Sequence, residues 1–279
     1  MYKEKFKYTK LDIIICSDNE ALSFVEKNRK ELFSNVPIVF CGINGYNPNL
    51  LMGDKNITGI VEELSIFDTV NIALKLHKGI KNVVVLNDKT QSGKMFKELI
   101  IKEDLEKKLG VKVVFLENLN LDIEKLSYKL KDYEKDSILL YTVFSIDKSN
   151  KKISNEQTIK KIKSISNIPI YGLYEAFLDF GIIGGKLIRL KNQGKEAGDL
   201  AIKILNKEPI ENLPIISIKA DSIFLNYEEL YKFEVNNKNI PKEAIIVNKP
   251  ISFYERVKDV ILYFVTILIF LIFIILLLV

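Results

Sequence analysis

LDIIICSDNEALSFVEKNRKELFSNVPIVFCGI, residues 11–43, decides the fold. Its opening run, LDIIIC, is short, continuously apolar and rich in β-branched side chains, which reads as a strand buried on both faces. A stretch over about 19–32 with apolar residues at helical spacing follows, and VPIVFCGI (36–43) repeats the first pattern. Buried strand, helix, buried strand is the parallel βαβ unit, because parallel neighbours need a long crossover between them.

The alternation continues outward. Helical spacing over 66–78 precedes NVVVLN (82–87), a helix over 91–109 precedes VKVVFL (111–116), and a helix near 121–132 precedes SILLYT (137–142). A helix near 154–166 and IPIYG (168–172) complete the series, which specifies α/β architecture with parallel sheets flanked by helices. GIIGGKLIRL (181–190), the helix over 192–208 and the strands LPIISIK and SIFLN break the rhythm. One sheet of about nine strands is large for this length, so the pattern predicts two lobes.

Composition narrows the function. The 279 residues carry a net charge of +5 from lysines scattered along the chain, without the basic block or arginine-rich face that tracks phosphates, so nucleic acid is not an expected partner. Two cysteines, Cys16 and Cys41, without a C-x-x-C motif give neither a zinc site nor a disulfide framework. They read as buried free thiols, or as a bridge if their runs are neighbouring strands. The one histidine, His77, has lysines nearby and is expected on a helix surface, outside the strand-end loops where a nucleophile–base pair would form. With no G-x-G-x-x-G, no nucleophile elbow and no metal-ligand spacing, no enzyme activity, catalytic residue, metal or cofactor is expected.

Val260–Val279 contains 20 residues without a charge, the length of a membrane-crossing helix. Its Leu, Ile, Phe and Val side chains favour insertion by about 5 to 11 kcal/mol in sum. Lys249, Arg256 and Lys258 flank it on the N-terminal side, and alone would keep the preceding domain in the cytoplasm. MYKEKFKYTKLD, the first twelve residues, has no apolar core of export-signal length.

In α/β sheets ligands sit beyond the carboxyl ends of the strands, so the loops there hold the candidate site residues. After the first strand, Ser17 and Glu20 read as a capping box, which leaves Asp18 and Asn19 to point into a cleft. After the second come Gly42, Ile43, Asn44, Gly45 and Tyr46, a sharp turn whose glycines also admit a ligand to backbone N–H groups. After NVVVL, Thr90, Gln91, Ser92 and Gly93 open a helix whose positive end suits a carboxylate, with Asp88 and Gln91 resembling a cap. Gly93-Lys94 is not a phosphate loop, because Met95 stands where Ser or Thr should hold magnesium. Phe144, Tyr171, Tyr174 and Glu175 follow later strands, as packing or as an aromatic and acidic lip.

LDIIICSDNEAL, VPIVFCGIN, ITGIVEE, ALKLHKGIKNVVVLNDKTQSG, IPIYGLYEAFLDFGIIGGKLI and QGKEAGDLAIKIL, in this order, resemble the ABC-transporter substrate-binding family of the tryptophan/tyrosine uptake type. The resemblance implies the type I periplasmic-binding-protein fold, two α/β lobes closing on a small molecule. Residues 1–62 and 182–235 would form the first lobe, 63–181 the second, 236–258 a stalk and 260–279 the membrane helix. Gly184 and Gly185 would serve the hinge crossing. The segment from Asn226 through Lys258, running into an apolar helix, is similar to the junction found where this domain is the extracytoplasmic sensor of a histidine kinase or diguanylate cyclase. The resemblance therefore implies an extracytoplasmic, membrane-anchored sensor module, with an ABC-transporter binding protein as the alternative. Implied partners are a small molecule such as an amino acid or other carboxylate, membrane lipid through 260–279, and a permease or a signalling output domain. Family members carry a further strand, helix and strand before the segment matching LDIIIC, which implies an incomplete first lobe with an exposed sheet edge and a fragment, or a decayed gene product, of a larger receptor.

Overall fold

The computed structural model describes residues 4–5, 9–46, 55–116, 122–149, 151–220, 222–251 and 253–278. Met1–Val247 form one compact unit and Asn248–Val279 a second.

In the first unit, β1 (Ile14–Ser17), β2 (Ile38–Ile43), β3 (Ile57–Glu63) and β9 (Ile216–Lys219) pair in that order, all parallel. The helices α1 (Asn19–Lys27) and α2 (Arg29–Leu32) connect β1 to β2. Alternation along IVFC divides the sheet's two faces. Phe40 packs with Cys16, Leu22 and Val25, whereas Val39 and Cys41 pack with Ala197, Leu200 and Ala201 of α8 (Leu190–Leu205). Cys16 stands level with Phe40 in the β1–β2 ladder, so the two thiols lie on opposite faces of the sheet and are free, which decides between the two readings of the sequence. Burial pushes the Cys16 thiol up to about 12, far from a reactive thiolate.

The second sheet contains β4 (Asn82–Leu86), β5 (Lys112–Phe115), β6 (Ser137–Tyr141), β7 (Ile170–Tyr171), β8 (Gly184–Leu187), β10 (Ser222–Asn226) and β11 (Ile245–Val247). Their order is β11-β10-β8-β7-β6-β4-β5, parallel throughout except where β10 meets β8. It is covered by α3 (Ile66–Leu76), α4 (Gln91–Glu103), α5 (Leu105–Leu109), α6 (Ile123–Lys129), α7 (Asn155–Ile165) and α9 (Tyr227–Lys232). The predicted strands and helices all appear. The helix expected over 121–132 runs only to Lys129 before tightening to a 3-10 turn, and Leu121 is outside the described residues.

The division into lobes differs from the expected one. β8 and β10, within the 182–235 assigned to the first lobe, pair in the second sheet, and only α8 and β9 return to the first. The chain therefore crosses between sheets after β3, after β8 and after β9. Gly184 and Gly185 sit inside β8 with φ of 144° and 151°, where the β10 backbone and Thr69 approach too closely for a side chain, so their glycine is a packing requirement and not a hinge device. The expected stalk also begins later: Ile245–Val247 is β11, and Ser252 of the stalk is outside the described residues.

His77 is the other correction. It ends α3 half-buried, its Nε2 2.9 Å from the Tyr171 hydroxyl and its ring edge-on to Tyr171 and Phe233. A helix-surface reading from neighbouring lysines missed that the last turn of α3 lies over β7. Burial lowers its pKa from 6.5 to about 4. Between those values the unfolded chain binds a proton that the folded one refuses, so this contribution is complete above about pH 6.5 and falls on acidification toward pH 4. With allowance for partial exposure the loss is about 2 kcal/mol. Glu62, a buried carboxyl with a raised pKa, works in the opposite direction as pH falls. Denaturant unfolding of the full chain in detergent at pH 7 and pH 5 should therefore compare wild type with His77→Gln. An equal stability gap at both pH values would remove the histidine's role.

In the second unit, α10 (Phe253–Leu278) contains a 22-residue segment, Arg256–Leu277, long and apolar enough to cross a membrane and unburied along its length. At about 1.5 Å per residue it covers about 33 Å.

Candidate functional site

The segments at the carboxyl ends of β1, β2 and β3 in one sheet meet those that follow β4 and β7 in the other. Tyr174, two residues past Gly172 after β7, is where they join. Its hydroxyl donates to Glu62 Oε2 at 2.8 Å and accepts from Asn44 Nδ2 at 3.0 Å, both on the opposite lobe. Gln193 of α8 donates to Glu62 Oε1 at 2.6 Å. All four side chains are buried, and Asn44 Oδ1 has no hydrogen-bond partner among the described residues. Burial raises the Glu62 pKa, with the donors Gln193, Tyr174 and Asn44 opposing it. The Tyr174 hydroxyl is raised well above the usual tyrosine range by burial and by Glu62 beside it.

A second set of contacts surrounds this node. Asn19 holds the loop after β2 by both its atoms, Nδ2 donating to the Asn44 carbonyl at 2.9 Å and Oδ1 accepting from the Asn44 N–H at 3.1 Å. Its amide also reaches Met95 Sδ of the other lobe at 3.5 Å, and Ser92 Oγ donates across the gap to Glu20 Oε1 at 2.9 Å. Gly45, at φ 61°, lets Met95 approach to within van der Waals contact.

Asp18, and not Ser17, caps α1: its side chain accepts from the Asn19 N–H at 2.6 Å, and the Glu20 expected in the capping box reaches Ser92 instead. Thr90, and not Asp88, caps α4, its Oγ1 accepting from Gly93 N–H at 3.1 Å. Asp88 is a buried brace. Oδ1 accepts from the Thr90 N–H and hydroxyl, and Oδ2 from the Ser145 N–H at 2.7 Å and hydroxyl at 2.8 Å. It ties the loops after β4 and β6 together, and Gly93 packs so close to it that a Cβ would strike the Asp88 carbonyl.

Of the sequence candidates, Asn19, Asn44, Ser92 and Tyr174 make the contacts at this junction, with Asp18 and Gly42 beside Asn19 and Asn44, and with Thr90, the exposed Gln91 and Gly93 at the start of α4 next to Ser92. Gly42, at φ 70°, turns the chain against Asp18. The rest lie elsewhere. Ile43 is in the first-lobe core, Tyr46 stacks on Phe40, and Phe144 and Tyr171 are in the second-lobe core. Glu175 is half-buried at the start of a 3-10 turn, its N–H bonded to the Ile188 carbonyl at 3.0 Å. Each of the two tyrosines and Phe144 is large and apolar enough to be claimed by packing.

Glu62, Gln193 and Met95 were not among the candidates. Glu62 follows Thr58 and Ile60 at strand spacing, an acid on the buried side of ITGIVEE. Gln193 precedes Ala197, Leu200 and Ala201 on the apolar face of α8. A polar residue in a buried register is the signal that marks both.

The profile of the family described as ABC transporter substrate binding protein matches residues 2–247. The chain belongs to that family. Its description is one of binding, not catalysis. The fold matches that of a conserved domain protein from Vibrio cholerae, with TM-score 0.65 and 15% identity, over 87% of this chain and 80% of that one. It matches equally an ABC domain from Streptococcus pneumoniae in complex with L-Trp, with TM-score 0.65 and 15% identity, over 88% and 81%. A ligand-free, open substrate-binding protein with adhesive properties from Clostridium difficile follows, with TM-score 0.60 and 17% identity, over 88% and 81%. No curated protein matches the chain. The expected type I periplasmic-binding-protein architecture is therefore the observed one.

Proposed function

We propose that this chain is the substrate-binding component of an ABC transporter, taking a small zwitterion such as an amino acid between its two lobes and presenting it to a permease. The Glu62–Tyr174–Asn44 node carries this reading. A buried carboxylate and a carbonyl oxygen without a partner are acceptors for an ammonium group. Across the gap, the amino end of α4 at Gln91 and Ser92 offers N–H groups and a positive dipole to a carboxylate. The ligand's two charged ends would then bridge the lobes, and closure would be favoured only by as much as the ligand prefers the closed form. Membership of the family, and a neighbour holding L-Trp, favour the transporter role over a receptor. In this reading the lobes lie outside the cytoplasm and α10 is the anchor, which membership of the family supports and the charges of Lys249, Arg256 and Lys258 oppose.

A sensor domain is the second reading, favoured by the eight residues that separate β11 from the apolar span. Thermal-shift measurements on the full chain in detergent, across the amino acids and simple carboxylates, test the shared core of both. A true ligand at about a hundred times its Kd adds about 2.7 kcal/mol of stability. No shift with any of them would end the zwitterion reading. Restored uptake of the same ligand, on returning the chain to cells lacking it, would separate transporter from sensor, and a membrane-impermeant amine label on intact cells reads which side the lobes occupy.

A further inference from the structure

A cavity of about 630 Å³ lies apart from the interlobe node. One wall is a single face of α3, with Asp68, Asn71, Ile72 and Lys75 at helical spacing. The other is the segment Lys238–Glu243, and Lys186 of β8 lies on the floor. Four lysines thus line it against two acids, Asp68 and Glu243. Lys186 and Asp68 satisfy each other at 2.7 Å, which leaves three lysines, Lys75, Lys238 and Lys242, all exposed and without an ion pair among the described residues, against the single acid Glu243. Asn71 and Asn239 add amide donors, and Ile72, Ile240 and Pro241 give the same walls apolar patches. Donors and uncompensated cations beside apolar surface suit a phosphate attached to a hydrocarbon body.

We infer that this groove binds the headgroup phosphate of an acidic phospholipid. Chain connectivity supplies the second argument. Lys242 is five residues before Val247, where the first unit ends, and nine residues later Arg256 opens the apolar span. Nine residues extend at most about 30 Å, so an inserted α10 confines the domain to the neighbourhood of the headgroups. A lysine is drawn to an anionic surface only within a Debye length of about 8 to 10 Å, and two of those in the groove, Lys238 and Lys242, belong to the last segment of the domain before the tether. The groove would fix the orientation of the domain on the membrane. This rests on the proposed anchoring by α10.

The test uses the full chain in lipid nanodiscs of phosphatidylcholine alone, or with phosphatidylglycerol, read by amine labelling and mass spectrometry. Labelling of Lys75, Lys238 and Lys242 should fall roughly five-fold in the acidic discs, while Lys203 on the other lobe is unchanged. Raising salt from about 0.1 to about 0.5 M should restore it. Lys75→Gln/Lys238→Gln/Lys242→Gln should abolish the accompanying hydrogen-exchange protection of residues 237–243 and leave ligand binding at the interlobe node as it was. Equal labelling in the two discs overturns the inference, as does equal protection by inorganic phosphate in detergent, which would mark a free-anion site. A chain that does not incorporate into either disc removes the anchoring reading, and this inference with it.

Discussion

Tyr174→Phe is expected to weaken ligand capture by roughly ten- to a hundred-fold, about 1.4 to 2.7 kcal/mol, with both lobes still folded. The substitution deletes one oxygen and nothing else. That oxygen donates to Glu62 and accepts from Asn44 across the lobe boundary, so its loss leaves a buried carboxylate one donor short and a buried amide without its acceptor. Both deficits exist only while the lobes are together, and in an open form water repairs them. The ring itself keeps its edge-on contacts with Phe96 and Phe177 at 6.4 and 5.5 Å, which is why the second lobe should keep its stability. Isothermal titration with whichever amino acid gives the largest thermal shift would measure the effect. Adding Glu62→Gln should cost less in Tyr174→Phe than in the wild type, because the two groups share one hydrogen bond. Unchanged affinity in the single variant would show that the lobes do not close through this tyrosine.

The strands were legible because a parallel strand covered on both faces has to be a short continuous apolar run, and NVVVL and SILLY have no other use. The loops at their ends were legible for the same reason, since topology sends every such loop toward one gap. What each loop residue does there was not. Asn19 and Asp88 look like ligand and cap, yet both serve as braces, because their partners, the Asn44 backbone and Ser145, lie 25 and 57 residues away. Glu62 and Gln193 are 131 residues apart, and the buried register that marks each of them does not make them partners until the fold brings them together. The lobe boundary failed for a related reason. A pair of glycines fits a hinge and a crowded strand equally well, and only the strands on either side, β7 and β10, decide between them.

Gly184→Ala tests that decision, and should destabilise the chain by about 3 kcal/mol or more, lowering its Tm by roughly 10 °C. A Cβ at this position would stand 1.9 Å from the Phe224 carbonyl oxygen and 3.0 Å from Leu225 Cα, at a φ of 144° that alanine rarely adopts. These are backbone atoms of β10, paired with β8 through Leu225 and Gly184, so no side-chain rotation relieves the clash. β10 would have to move away, taking β11 with it, since β11 pairs only with β10 among the described residues. Gly194→Ala on α8 is the matched control: nothing lies within 4 Å of its Cβ, and a helical alanine there should be stabilising by about 0.5 to 1 kcal/mol. If the two variants melted together, the close seating of β8 against β10 would be wrong, and with it the assignment of residues 182–187 and 222–226 to the second lobe.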